Sequence, residues 1–250
     1  MKLLALETST ETLSIALGQA TPGHDMTVVA TYEGAGGPQS SATLLPAVHG
    51  LLAQAGWALA DLQAIVFGEG PGSFTGLRTA CAVAQGLAFG AGLRVLPVDT
   101  LMAVAEEARL QYEAQGQPIA APQRVAAAMD ARMDELYLAV YERLPGTSAW
   151  RGDGARLASP QDAQFDGVAW LAGNARAAYA DRLPAPTLAL PAITCLPTAR
   201  ALLHLAPALL AAGLAVAPEL AMPRYVRDKV AKTTEERLAE RQAAQTAGPR

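Results

Sequence analysis

The sequence predicts an α/β fold of two lobes, each organised around a sheet that opens with an antiparallel hairpin. Three observations carry this prediction. A strand, a tight polar turn and a returning strand occur at the N-terminus and again past residue 123; strands alternate with helical patterns between them; and Gly, Gln and Pro punctuate 115–118 and 121–122, where one lobe hands over to the other. With 250 residues, 51% apolar and 17% charged, the chain has apolar surface enough for such a core, and only its C-terminal end has a weak folding composition.

The first unit runs through Leu3-Leu4-Ala5-Leu6, the acid Glu7, the turn Thr8-Ser9-Thr10-Glu11, and Leu13-Ser14-Ile15-Ala16-Leu17 in period-two alternation. Val28 to Tyr32 reads as a third strand, broken by Gly34-Ala35-Gly36-Gly37-Pro38. A helix over about 41–55 follows from Leu44, Leu45, Val48, Leu51 and Leu52 at helical spacing, with Gly56 as its stop and His49 as a surface or interface side chain. Ala64-Ile65-Val66-Phe67 is a buried strand that leads into Gly68-Glu69-Gly70-Pro71-Gly72-Ser73, and a second helix spans about 74–91. Strand Val95 to Val98 and a helix over 100–110 complete the first lobe, residues 1–112.

The second unit, Val125 to Met129, Asp130, Ala131 to Glu135 and Leu136 to Val140, repeats the first. In one constant register Glu7 matches Asp130, while Leu13, Ile15 and Leu17 match Leu136, Leu138 and Val140. The two acids either face a common cleft or cap their own turns. The second lobe covers 123–197, with a short strand ending at Trp170-Leu171-Ala172-Gly173-Asn174. An apolar helix from Ala199 to Ala212, interrupted near Pro207, lies in a segment 198–222 that packs back on the lobes. Residues 223–250 form a basic tail, whose segment 224–232 carries Arg224, Arg227, Lys229 and Lys232 against Asp228 alone. A solvated surface is the default reading of that cluster, with RNA or an acidic partner as the minority reading.

The glycine turn admits two functions. Gly70 and Gly72 can take backbone angles closed to other residues, Ser73 suits an N-cap, and a helix start attracts anions, so a phosphate site built with Thr8, Ser9, Glu7 and Asp130 is one reading. A tight strand-to-helix connection is the other. In the second helix Ala82, Gly86 and Gly90 at i, i+4 and i+8 form a ridge of small residues, which suits close approach of another backbone, either the protein's own sheet or another subunit's helix.

Several chemistries are excluded. Pro71 stands where a serine-hydrolase elbow needs Gly, and Arg78 follows Leu77 with no Walker lysine anywhere. Cys81 and Cys195 lack metal or disulfide spacing, and His24, His49 and His204 are scattered, so neither metal nor cofactor is expected. A net charge of −4 argues against gripping nucleic acid unaided. With no charged-then-apolar leader and no membrane-length apolar run, a cytoplasmic location is expected.

Leu6-Glu7-Thr8-Ser9-Thr10, Gly70-Pro71-Gly72-Ser73-Phe74-Thr75-Gly76-Leu77-Arg78, Met129-Asp130-Ala131-Arg132-Met133-Asp134-Glu135-Leu136-Tyr137 and Pro223-Arg224-Tyr225-Val226-Arg227 closely resemble the TsaB family, in order along nearly the whole chain. The resemblance implies an actin/sugar-kinase/heat-shock-chaperone-like (ASKHA) fold with a ribonuclease-H-like sheet in each lobe. It implies a non-catalytic subunit in the synthesis of N6-threonylcarbamoyladenosine, on the adenosine beside the anticodon of tRNAs reading codons that start with A. The implied partners are a TsaD-like catalytic subunit, a TsaE-like ATPase in the larger complex and a second copy when alone, with tRNA reached only through the complex. The implied partner face lies on the first two helices of lobe one: Leu45, Val48, Leu52, Thr79, Ala82, Val83, Gly86 and Gly90. TsaD carries two metal-binding histidines after the strand corresponding to Val95 to Val98; Thr100 and Val104 occupy those positions here. The chain departs from its family at Glu7, where Asp is usual, and at Gly173-Asn174-Ala175, where Gly-Asn-Gly is frequent. Both departures weaken a nucleotide site. An ATP-dependent small-molecule kinase of the same superfamily, using Glu7 or Asp130 in phosphoryl transfer, is the alternative from a different class.

Overall fold

The computed structural model describes residues 1–21, 24–116, 123–144, 147 and 149–227. β1 (Lys2–Glu7), β2 (Thr12–Gln19) and β3 (Thr27–Ala35) form an antiparallel meander, and β4 (Ala64–Gly70) and β5 (Arg94–Asp99) add in parallel on the far side of β1. Between these strands run α1 (Ser40–Ala55) and α2 (Phe74–Ala91), and α3 (Thr100–Ala114) follows β5. The second lobe contains β6 (Gln123–Asp130), β7 (Leu136–Arg143), β8 (Trp150–Gly152), β9 (Arg156–Ala158), β10 (Trp170–Ala172), α4 (Ala175–Tyr179), α5 (Ala185–Leu188) and β11 (Ala192–Ile193); α6 (Ala199–Ala211) comes last.

The first sheet has the order β3-β2-β1-β4-β5 and the second β8-β7-β6-β10-β11, with β9 pairing β7 beside that path. Both therefore read third, second, first, fourth, fifth strand, and the strand directions agree pair for pair. This is the ribonuclease-H-like sheet, present twice in a two-lobed α/β molecule.

Three apolar layers hold it together. α1 and α2 cover one face of the first sheet, where Leu4, Leu6, Leu13, Ile15 and Leu17 meet Leu44, Val48, Leu51, Ala80 and Ala84. α3 and α6 lie against the opposite face and join Leu3, Ala5 and Val66 to Val125, Ala127, Tyr141 and Trp150 of the second lobe in one continuous core. Ala126, Ala128, Leu136 and Leu138 pack outward against Ala175 and Leu183. Cys81 and Cys195 are buried free thiols.

The hairpin repeat is real, but its register is corrected by one residue. Glu7 pairs with Ser14, whereas Asp130 pairs with Leu136, so the second turn is one residue tighter. Leu13 and Ile15 keep their match with Leu136 and Leu138 on the outer faces, but the first strands are out of step. Glu7 continues the inner row of Leu3 and Ala5, and Asp130 the outer row of Ala126 and Ala128. A one-residue slip exchanges the two faces of a strand.

The expected break near Pro207 is also corrected, because α6 runs unbroken through it. Proline inside a helix costs about 3 kcal/mol; complete or near-complete burial of Ala199, Leu202, Leu203, Leu205 and Ala206 between the sheets offsets that. Within segment 198–222, α6 is therefore part of the inner layer, and Val216 extends the first sheet by pairing with Val95. Pro218 to Ala221 cross to the opposite face, where Gln85 of α2 donates to the Pro218 and Ala221 carbonyls. The handover residues 117–118 and 121–122 lie outside the described residues.

The inner layer carries its own charges. Glu106 of α3 accepts from Arg109 Nε and Nη2 at 2.9 and 2.6 Å and from the indole of Trp150 at 2.8 Å, all three side chains being buried. Glu107 accepts from Thr198 and Gln111 and pairs with Arg200, while the Thr198 hydroxyl also accepts from Ala201 N to cap α6. These bonds tie α3 to both α6 and the second lobe. Glu106→Ala removes one partner of a buried pair and orphans Trp150 Nε1, so urea unfolding should show a loss of about 3 kcal/mol.

Candidate functional site

The glycine turn is shaped by the protein's own packing. β4 extends to Gly70, past the predicted end at Phe67, and Ser73 caps α2 by accepting from Gly76 N at 3.4 Å. The turn lies on the first hairpin: Ser73 N donates to Ser9 O at 2.7 Å and Thr8 Oγ1 donates to Gly76 O at 2.6 Å. A Cβ at Gly76 would stand 1.8 Å from Thr8 O, and one at Gly72 would stand 2.5 Å from Ser9 Cβ. Gly70, at φ +123°, faces Arg224 O in the same way at 2.4 Å, and its N–H is bonded to Thr100 Oγ1. The amides of Gly70, Ser73 and Gly76 are thus engaged internally, which favours the tight-connection reading over a phosphate cradle.

The two acids separate. Glu7 is fully buried and absent from the cleft wall; its Oε1 accepts from Ser9 N at 2.6 Å, and its other oxygen lies over Gly68, where a Cβ would come within 2.0 Å. Burial raises its pKa, with hydrogen bonds from Ser9 and Thr8 opposing the shift. The expectation of two acids in one cleft is therefore corrected, for the register reason given above.

Asp130 does line the inter-lobe cleft, a cavity of about 330 Å³ shared with Ser9, Gly72, Ser73, Arg132 and Asn174. Its carboxylate is occupied by its own lobe: Oδ1 accepts from Arg132 N and from the Tyr179 hydroxyl, both at 2.7 Å, and Oδ2 from Arg132 Nη1 at 3.1 Å. Partial burial and donation to Asp130 push the Tyr179 phenol up to about 12. Arg132 then reaches across the cleft to Glu11 at 3.3 Å. Asn174, from the altered Gly173-Asn174-Ala175 turn, accepts from Asp130 N at 2.8 Å, and a Cβ at Gly173 would stand 2.1 Å from Ala128 O. Of the proposed phosphate set, Ser9, Gly72, Ser73 and Asp130 meet at the cleft; Glu7, Thr8 and Gly70 are used inside the first lobe.

Thr100 and Val104, at the positions implied to be histidines in TsaD, are both buried, Thr100 as the acceptor for Gly70 N. Among the described residues, no group of three His, Cys, Asp or Glu side chains converges to hold a metal, and no helix is long and apolar enough to cross a membrane.

The helical face divides sharply. α2 turns Leu77, Ala80, Cys81, Ala84 and Ala88 inward and leaves Ala82, Gly86 and Gly90 exposed. A Cβ at Gly86 or Gly90 would meet nothing within 4 Å, so the ridge does not serve the protein's own sheet. Leu45 of α1 is 41% exposed, Thr79 and Val83 are half-buried, and Thr79 bonds back to Thr75 O. Val48 and Leu52 are corrected: both are buried in the core beneath α1 and present no surface, because they share the inward stripe of Leu44 and Leu51. Sequence reasoning missed Phe89, which is 77% exposed on this face beside Ala82, Gly86 and Pro218. Its spacing at i+7 from Ala82 and i+3 from Gly86 was the available signal.

The basic cluster is corrected in part. Arg224 pairs with Asp99 at 3.2 Å and lies 3.8 Å from Glu69, while Arg227 pairs with Glu135, so both side chains are held by acids of the protein itself rather than left to solvent. Burial, then their mutual repulsion for Glu69, raise the Glu69 and Asp99 pKa values, and Arg224 opposes both shifts. Asp228, Lys229 and Lys232 lie outside the described residues.

These features define a two-lobed protein with a duplicated sheet, a cleft whose acid is held by neighbouring side chains, and an outward helical face of small residues around one large aromatic. The family model described as TsaD, tRNA N6-adenosine threonylcarbamoyltransferase, matches residues 37–154. The chain is 35% identical over 238 residues to the tRNA threonylcarbamoyladenosine biosynthesis protein TsaB of Escherichia coli, covering 92% of this chain and 96% of that one. It is 40% identical over 142 residues to the Haemophilus influenzae TsaB, covering 55% and 52%. The solved structure of YeaZ from Pseudomonas aeruginosa superposes with a TM-score of 0.75 at 38% identity, over 90% of this chain and 99% of that one. The chain belongs to the TsaB family.

Two measurements check the site. Gly76→Ala forces the α2 start off Thr8 and should cost about 3 kcal/mol in urea unfolding. The raised Glu7 pKa means that the folded state binds its proton more tightly than the unfolded state, whose value lies near the ordinary 4.5. Stability from this group is therefore lost as pH rises from that value through the folded pKa. Between about pH 5 and about pH 8, wild type should lose more stability than Glu7→Gln, which has no charge to bury; equal losses would contradict the burial of an ionisable carboxyl.

Proposed function

We propose that this chain acts in tRNA threonylcarbamoyladenosine biosynthesis as a scaffold and activator, docking a TsaD-like transferase on the outward face of α1 and α2. Membership of the TsaB family supports the pathway, and the family-model match described as TsaD fits a role beside such a subunit. The observation that carries the docking site is the bare ridge of Ala82, Gly86 and Gly90 with Phe89 standing free of it. Small residues let a partner helix approach closely, and an exposed aromatic supplies an anchor. Leu45, Thr79 and Val83 flank the ridge; Val48 and Leu52 support it from beneath.

The chain itself performs no transfer chemistry in this reading. Glu7 is buried, both Asp130 oxygens accept from Arg132, and Thr100 and Val104 bring no imidazole. The same facts weigh against the small-molecule kinase, which needs a free carboxylate beside a phosphate cradle. A TsaE-like ATPase and tRNA join through the assembled complex, whose product is the modified adenosine beside the anticodon of tRNAs reading codons that start with A. Without the catalytic subunit, the same face accepts a second copy of the chain.

Gly86→Trp tests the docking face directly. The added side chain projects into open space, so the melting temperature should hold while affinity for the TsaD-like subunit, read by calorimetry, falls by at least about 100-fold. Unchanged affinity in the folded variant removes α2 from the interface. Depleting the chain in its host should lower N6-threonylcarbamoyladenosine in bulk tRNA, as read by nucleoside mass spectrometry; unchanged levels would overturn the pathway assignment.

A further inference from the structure

The segment at Arg224 to Arg227 crosses from one lobe to the other at the mouth of the cleft, and each residue's contacts are distinct. Arg224 belongs to the first lobe: its N–H donates to Glu69 O at 2.7 Å and its guanidinium pairs with Asp99 at 3.2 Å. Tyr225 is gripped at the start of α2, its ring 5.0 Å from that of Phe74 and its hydroxyl accepting from Arg78 Nε at 2.9 Å. Arg227 belongs to the second lobe, where Nη2 donates to Arg132 O at 3.2 Å and pairs with Glu135, while Nη1 lies 3.1 Å from Met133 Sδ.

What Arg227 holds is an unfavourable backbone. Arg132, Met133 and Asp134 have φ of +61°, +55° and +61°, three successive left-handed residues and none of them glycine. Side chains with a Cβ resist that region, and a run of three persists only where surrounding contacts over-determine it. Those contacts are Arg227 on the Arg132 carbonyl, Arg182 on Asp134 at 2.7 Å, and the bonds Glu135 N to Arg132 O and Ala131 N to Glu135 O. The turn in turn aims Arg132 across the cleft at Glu11 while it holds Asp130.

We propose that residues 224–227 are a clamp across the cleft mouth: anchored on lobe one by Arg224 and Tyr225, it keeps the 132–134 turn left-handed through Arg227. The clamp thereby holds the Arg132 bridge to Glu11 in place. Release of the clamp relaxes the turn, withdraws Arg132 and uncovers the Asp130 carboxylate to solvent. A cavity lined by Gly72, Phe74, Met133, Tyr137 and Arg224 to Arg227 lies directly beneath the segment, so its release also opens the floor below it.

Hydrogen exchange on the full chain, read by mass spectrometry, tests this. The amides of Ala131, Arg132 and Glu135 are all bonded in the turn, so exchange over 130–137 reports its opening. In Arg227→Ala that exchange should become at least about tenfold faster, with the β2 amides unchanged. Arg224→Ala touches nothing in the turn, so it separates a clamp from local support. Faster exchange over 130–137 in Arg224→Ala is the expected result, since loosening the anchor loosens Arg227. Exchange there within about twofold of wild type, in a folded Arg224→Ala protein, overturns the clamp even if Arg227→Ala is fast or does not fold.

Discussion

The contact on which the rest of this molecule depends is backbone against backbone, where the start of α2 lies on the turn of the first hairpin. Thr8 O occupies the space in which any side chain at Gly76 would begin, and Ser9 does the same at Gly72. Thr8 Oγ1 and Ser73 N then bond across the junction. With its N-terminus seated there, α2 turns Ala80, Ala84 and Ala88 onto the sheet. Its other face must point outward, and the small residues on that face become available surface. A packing constraint at one end of the helix thus decides what the protein presents at the other.

The same economy governs the cleft. Two sheets of identical order face α3 and α6 across a shared apolar core, which brings the ends of β1 and β6 near one another. A one-residue difference in hairpin register sends the acid of the first strand into the interior and that of the second to the cleft wall. There Arg132, Tyr179 and Asn174 absorb its hydrogen-bonding capacity together with its backbone N–H. The cleft acid is thus bonded within its own lobe, while Glu7 Oε2 and Ser9 Oγ of the first hairpin are buried without a hydrogen-bond partner among the described residues.

Charge inside the inner layer gives the lobes a defined relation. Glu106, Arg109 and Trp150 connect α3 to β8, and Glu107 connects α3 to Thr198 and Arg200 of the α6 start. Such bonds are directional where apolar contacts are not, and each buried partner left alone would be costly. The Arg224 to Arg227 segment adds the same logic at the surface of the cleft.

By itself the sequence determined the elements of the first lobe and their order, and the hairpin that opens the second: apolar runs marked β1 and β6, alternation marked β2 and β7, helical spacing marked α1, and the glycines at 70 and 72 marked a turn into α2. These are local properties, set by backbone sterics and by periodicity within a few residues. Only the tertiary structure decided what the glycines of that junction approach: the protein's own hairpin at Gly72 and Gly76, and the Arg224 carbonyl at Gly70. It also separated Val48 and Leu52 from Leu45 and Phe89 on neighbouring helices, exchanged the faces of Glu7 and Asp130, and carried α6 through Pro207. Apolar residues on two sides of a helix look alike until a partner layer covers one side, and a one-residue difference in turn length leaves the alternation of each strand unchanged. Burial belongs to pairs of elements, so a single segment cannot reveal which of its faces the fold will cover.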